Sequence, residues 1–370
     1  MAKKSNMTTW VGLIILLIAL IGAGYYFFFS GAAPIPANDT DNKATTNLAV
    51  VSKDTTKPTD TAVSTSPLSP ISPISSSEEI TVPVTFSEEV FAVVEEAESA
   101  YNQQQYESAL ELINKAIEQE PHNPFAYNTR GNIYAALNQF DEAKIDYDQA
   151  IALDPGLAEP YYNRGRLSRS LKNYENAIVD LEKAISLNSV EFSYRAYGNI
   201  GLIHYEMNDY EAALEAFNNS ISTNYENRAD IYYFRGKTYT ALEDYNAAIS
   251  NYQAAIDRFS RYDQAFQGLG FAYYKTGKLD EARQAIEQAL EISPDSATAH
   301  YYLGLIELAA GHPDLATEAF SVAANTTDAL PTADKKRLLT QLSTELERFS
   351  QENPDQSQAV KALIDLLPPS

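Results

Sequence analysis

The chain of 370 residues contains no cysteine, so disulfides, thiol chemistry and cysteine-ligated metals are excluded. It has only four histidines, His122, His204, His300 and His312, and none falls in a metal-binding spacing such as HExxH. Walker and GxSxG sequences are absent as well. Gly268-Leu269-Gly270 lacks the third glycine and the preceding strand of a nucleotide loop. Basic residues are scarce, 27 against 50 acidic ones, for a net charge of −23. An acidic body of this kind repels phosphate backbones, which argues against nucleic-acid binding. Nothing in these absences points to an enzyme, a cofactor or a metal centre.

Charge and apolar residues are distributed unevenly. Residues 1–9 carry Lys3 and Lys4 without an acid. Residues 10–29, WVGLIILLIALIGAGYYFFF, carry no charge at all. Twenty helical residues span about 30 Å, the thickness of a bilayer's hydrocarbon core. Trp10, Tyr25 and Tyr26 suit the two interfaces. A cleaved secretory signal is the competing reading, but such peptides have shorter apolar regions. The spacing therefore predicts an uncleaved transmembrane anchor. The lysines before it place the N-terminus in the cytoplasm and the remainder outside, in a bacterial periplasm or at the cell exterior. Residues 30–86 are rich in Ser, Thr and Pro and read as a disordered linker.

From residue 87 onward the sequence is periodic. Ala97, Gly131, Gly165, Gly201, Gly236, Gly270 and Gly304 are spaced 34, 34, 36, 35, 34 and 34 residues apart. Taking each as position 8 divides the region into units 90–123, 124–157, 158–193, 194–228, 229–262, 263–296 and 297–330. Position 20 is always alanine: Ala109, Ala143, Ala177, Ala213, Ala248, Ala282 and Ala316. Position 27 is alanine or Ser220, and position 24 is large and apolar, from Ile113 and Tyr147 to Phe320. Small residues at 8, 20 and 27 mark places where two helices nearly touch, and the large ones fill the space around them. Pro121, Pro155 and Pro294 end the second helix of their units.

This pattern is similar to the tetratricopeptide repeat family over residues 90–330. The resemblance implies an all-α, right-handed solenoid of seven helix-turn-helix repeats that binds proteins or peptides and needs no cofactor. Residues 331–370 are expected to cap its open end, with Leu338, Leu339, Leu342, Leu346 and Phe349 at helical spacing.

One correlation runs through the units. Position 7 is arginine in Arg130, Arg164 and Arg235, and in the same units position 23 is Asp146, Asp180 and Asn251. Elsewhere both positions lack such a pair. A partly buried guanidinium needs a partner to offset its desolvation, so these pairs read as bridges between the helices of a unit. The alternative is that the arginines contact a ligand.

In the resembled family the first helix of each unit lines a groove through positions 2, 5, 6, 9 and 12. Carried onto this chain, that implies Tyr162, Asn163, Arg166, Arg169, Arg195, Asn199, Tyr233, Phe234, Lys237, Phe271, Tyr274, Tyr301 and Tyr302. The inner face would then gather cations and rings on an otherwise acidic body, a mixture suited to peptide segments. Some members clamp a C-terminal carboxylate. The matching positions here are Asn128, Asn132, Asn163, Arg195 and Asn199, which lack the first lysine and the last arginine and leave a weaker site at Asn132, Asn163 and Arg195. The expected function is a membrane-anchored protein-binding scaffold for envelope complexes. The alternatives are a cytosol-facing chaperone or preprotein receptor, and a passive spacer. Oligomeric state stays open.

Overall fold

The computed structural model describes residues 87–187, 189–223 and 228–326, and, further on, Lys336, Thr340, Ser343, Thr344, 346–348, Ser350 and Gln351. The expected anchor at 10–29 and the linker at 30–86 lie outside the described residues. Among the described residues no helix is long and apolar enough to cross a membrane, and there is no strand.

Fourteen helices alternate in pairs through residues 88–326. They are α1 (Glu88–Asn102) and α2 (Tyr106–Gln119), α3 (Pro124–Ala136) and α4 (Phe140–Leu153), α5 (Ala158–Ser170) and α6 (Tyr174–Ser186), and α7 (Val190–Glu206) and α8 (Tyr210–Ser222). They continue with α9 (Ala229–Ala241) and α10 (Tyr245–Arg258), α11 (Asp263–Lys275) and α12 (Leu279–Ile292), and α13 (Ala297–Ala309) and α14 (Pro313–Thr326). Each helix packs on the next, so the units stack in chain order. The odd-numbered helices of successive units also touch one another, which puts them along one side of the stack.

Local signals set the helix ends. Asn123 accepts from the backbone N–H groups of Phe125 (3.1 Å) and Ala126 (3.2 Å) just before Pro124. Ser189, Asp209, Asp244 and Ser296 cap four more helices in the same way. The turn inside every unit passes through a left-handed residue at position 15. This residue is Gln104, Asn138, Lys172, Asn208 or Glu243 in the first five units and Gly277 (φ 77°) or Gly311 (φ 81°) in the last two. The next N–H then reaches back to the carbonyl at position 11, as Gln139 does to Tyr134 (2.9 Å), which satisfies the orphaned end of the first helix.

The small residues explain the closeness of each pair. All seven alanines at position 20 are fully buried, and Ile113, Tyr147, Leu181, Phe217, Tyr252, Ile286 and Phe320 at position 24 are at most 2% exposed. A Cβ on Gly131 would stand 2.6 Å from Tyr147 Cε1, and one on Gly236 would stand 2.9 Å from Tyr252 Cδ1. Tyr252 is also seated on Gly268 of the following unit, where a Cβ would be 2.5 Å from its ring. Gly268 is therefore a packing residue on α11, not part of a phosphate loop.

The position 7 arginines do more than join two helices. Arg130 grips Asp146 through Nε and Nη2, both at 2.8 Å, and its Nη1 donates to Asn114 of the preceding unit at 2.9 Å. Arg164 grips Asp180 (2.8 and 2.6 Å) and reaches back to Asp148 (2.5 Å). Arg235 donates to Asn251 (2.6 Å) and back to Asn218 (2.7 Å). Asn114, Asp148 and Asn218 all occupy position 25 of the unit before. Each arginine thus staples three helices. Hydrogen bonds to the carboxylates hold Arg130 and Arg164 above the ordinary arginine range, whereas Arg235, with amide partners only, is lowered by burial. The last junction uses another device. Arg283 on α12 grips the buried Glu307 on α13 (2.5 and 3.1 Å), and His312 adds a contact at 2.8 Å.

At the C-terminal end Leu346 is fully buried against Tyr301, Leu305, Leu308 and Phe320 of the last unit. Leu338, Leu339, Leu342 and Phe349, with residues 352–370, lie outside the described residues.

Candidate functional site

The odd-numbered helices bring positions 2, 5, 6, 9 and 12 of successive units onto one face, which separates into a polar stretch and an aromatic stretch. The polar stretch spans α1, α3, α5 and α7. Thr129 donates to Glu98 at 2.9 Å. Asn163 donates to Asn128 at 3.0 Å. Asn132 accepts from the Tyr147 hydroxyl at 2.8 Å. Arg195 pairs with Glu191 at 3.1 Å. Arg169 donates to Asn199 at 3.1 Å and to Glu206 at 2.8 Å. Asn199 in turn donates to the Arg195 carbonyl at 3.0 Å.

This network corrects the expected cation-rich face. Glu98, Glu159, Glu191 and Glu206 stand among the arginines, and Arg169 and Arg195 are already neutralised. Glu159 is the least compensated of these acids. Burial, then the nearby Glu98 carboxylate, pushes it up to about 7, against weaker help from Asn128 and Asn163. Burial likewise raises Glu98, opposed by its bond from Thr129. The signal for Glu159 was present in the sequence, because it occupies position 2 of its unit, a position that faces the groove in the resembled family. The carboxylate site expected at Asn132, Asn163 and Arg195 is corrected as well. Asn163 is buried on Asn128 and Arg195 holds Glu191, so the three do not form a vacant set of donors.

The aromatic stretch lies on α9, α11 and α13. Tyr233, Phe271, Tyr274 and Tyr302 are partly exposed. Phe271 meets Tyr302 at 5.1 Å and Tyr274 at 6.3 Å between ring centroids. The Lys237 ammonium lies 5.1 Å from the Tyr205 ring and 5.8 Å from the Tyr233 ring, within cation–π range. Three other expected groove residues are core. Phe234 (6% exposed) packs with Tyr194, Phe217 and Ile231. Tyr301 packs on Phe320, with ring centroids 6.2 Å apart. Tyr162 is buried in the cluster that includes Leu181 and Ile203.

Arg166 is the exception among the charged residues. It is exposed, lies over the Tyr162 ring at 5.6 Å from the centroid, and has no ion pair or hydrogen bond with any described residue. Among the described residues no group of three or more His, Asp or Glu is placed to hold a metal ion.

Comparison with known proteins agrees with this geometry. Family models for the tetratricopeptide repeat match residues 124–157, 158–190 and 199–263, and a TPR repeat model matches 270–311. Protein bimA of Emericella nidulans is 41% identical over 63 residues, 17% of this chain and 8% of that protein. Small glutamine-rich tetratricopeptide repeat-containing protein 2 of Saccharomyces cerevisiae is 34% identical over 91 residues, 24% of this chain and 26% of that protein. The matches thus span about a quarter or less of these relatives. Among solved structures, the APC/C hetero-tetramer Cut9-Hcn1 superposes with a TM-score of 0.53 at 18% identity, covering 66% of this chain and 48% of that one. A tetratricopeptide repeat protein from Parabacteroides merdae gives 0.50 at 21% identity, covering 69% and 99%.

Proposed function

We propose that this chain, a tetratricopeptide repeat protein, is a non-enzymatic scaffold that receives peptide segments or partner proteins on the face formed by its odd-numbered helices. Tetratricopeptide repeats serve protein–protein interaction and scaffolding. The observation that carries the reading is the set of partly exposed rings at Tyr233, Phe271, Tyr274 and Tyr302, together with the uncommitted Arg166 on α5. Rings offer large contact area at little entropic cost, and interfaces favour aromatics and arginine. Affinity capture from the native extract with the full chain, alongside a Phe271→Ala/Tyr302→Ala variant, tests it. Partners lost by the variant support the face, and an unchanged partner set refutes it.

The second half of the reading is location. The uncharged stretch at 10–29 and the lysines before it support a membrane anchor with the repeats outside the cytoplasm, where the scaffold would organise envelope complexes. A compartment-dependent reporter fused after Ser370 reads the topology. Activity on the cytoplasmic side would replace this reading with a cytosol-facing receptor.

A further inference from the structure

Almost every polar group on the polar stretch is already engaged by a neighbour, which leaves little there to recognise anything. Arg166 stands apart. It lies on α5, in the third of seven units, and its contact is the Tyr162 ring. Tyr101 and Tyr147 are close enough to interact with it electrostatically, and Arg228 is a like charge acting on it. Contact with a ring holds a guanidinium without consuming its N–H donors. By contrast, the other arginines of α3, α5, α7 and α9 are paired: Arg130, Arg164, Arg169, Arg195 and Arg235 all have carboxylate or amide partners. Among the arginines of these four helices, Arg166 alone lacks a carboxylate or amide partner.

We propose that Arg166 reads an Asp or Glu side chain in an extended partner segment whose apolar residues rest on Phe271, Tyr274 and Tyr302. This rests on the reading of the odd-numbered helices as the binding face. Charge complementarity selects the acid, because a basic segment would set like charge against Arg166. The middle of the stack selects a side chain over a chain terminus. The face continues from α5 in both directions, and the amide donors needed to surround a terminal carboxylate are engaged, that of Asn163 by Asn128 and that of Asn199 by the Arg195 carbonyl.

The experiment is selection of 12-residue peptides, displayed without a free C-terminus, on the full chain. The expected winners carry Asp or Glu together with aromatic or aliphatic residues. Selection on Arg166→Glu is expected to replace the acids by Lys or Arg. The best peptide, synthesised with an amidated end, should bind Arg166→Gln about tenfold or more weaker, as for loss of one charge-assisted contact. Its Asp→Asn analogue should lose the same factor on the native chain. Because Arg166 is exposed, the melting temperature of the variants should not move. Acid-free winners, equal affinity for Arg166→Gln, or a requirement for a free C-terminus would each overturn the proposal. Tyr302→Ala separates the two levels. If it weakens binding while Arg166→Gln does not, the face stands and the role of Arg166 falls. If neither weakens binding, or no peptide is enriched, both fall.

Discussion

Two glutamates on this chain titrate in opposite senses because their neighbours differ. Glu307 is buried but held by Arg283 and His312, and the Arg283 bonds keep its carboxyl below the ordinary 4.5. Its stabilisation is complete above that value and is lost as pH falls through the lowered one. Glu159 has no cation, and burial lifts it to about 7. Between 4.5 and 7 the unfolded chain releases this proton before the folded one does, so stability falls as pH rises across that window. Urea midpoints measured from pH 3 to 8 should show both slopes. Glu159→Gln should flatten the neutral one and Glu307→Gln the acidic one. The position 7 arginines give a second residue-scale test. Arg235 has only amide partners, whereas Arg164 reaches back to a carboxylate at the same register. Asn218→Asp should therefore stabilise the chain by about 0.5–1 kcal/mol, an effect that shrinks in salt and vanishes in an Arg235→Met background. The pairing of positions 7 and 23 was readable from the sequence because both partners sit in one unit. The third partner at position 25 is not legible there, since it belongs to the unit before.

At the scale of the helix pair, two kinds of glycine act differently. Gly131 is needed for closeness, because a methyl group there would collide with Tyr147. Gly131→Ala is expected to cost about 1–3 kcal/mol as an overpacked contact. Gly277 is needed for conformation, at φ 77° with open space around it. Gly277→Ala is expected to cost about 1 kcal/mol through left-handed strain alone. Denaturant titration of the two, each combined with Tyr147→Leu, distinguishes them. Only the Gly131 variant should recover part of its loss when the ring is trimmed. The period of 34 located Gly131, whereas the role of Gly277 emerged only from the backbone. That Lys172 and Glu243 take the same left-handed turn without being glycine emerged only from the backbone, because neither residue favours it intrinsically.

Across the whole stack, staples are not evenly placed. Arg130 and Arg164 tie units one to three, Arg235 ties four to five, and Arg283 with Glu307 ties six to seven. The junctions at Ile200 and Leu269 carry apolar residues at position 7 instead. Repeat stability is close to a sum of unit and nearest-neighbour terms, so damage should stay local. In native-state hydrogen exchange, Arg130→Met/Arg164→Met should lower protection in α1–α6 while α11–α14 keep theirs. A uniform drop across all fourteen helices would mean that the stack opens as one cooperative body.

The number of helix pairs and their close contacts were legible in the sequence alone, because a repeat writes the same steric demand at the same register each time; the boundary expected at 193/194 was not, since α7 already begins at Val190. Which groove residues remain available was decided by the tertiary structure. Arg166, Arg169 and Arg195 look alike in a linear reading, and Phe234 looks like Phe271. They diverge because Glu191 reaches Arg195 one turn along α7 and Tyr162 lies one turn before Arg166 on α5, while stacking brings Glu206 to Arg169 and presses Phe234 against Phe217 and leaves Phe271 partly open. For Arg169 and Phe234 availability depends on neighbours from other helices, and only the stacking decides which neighbours those are.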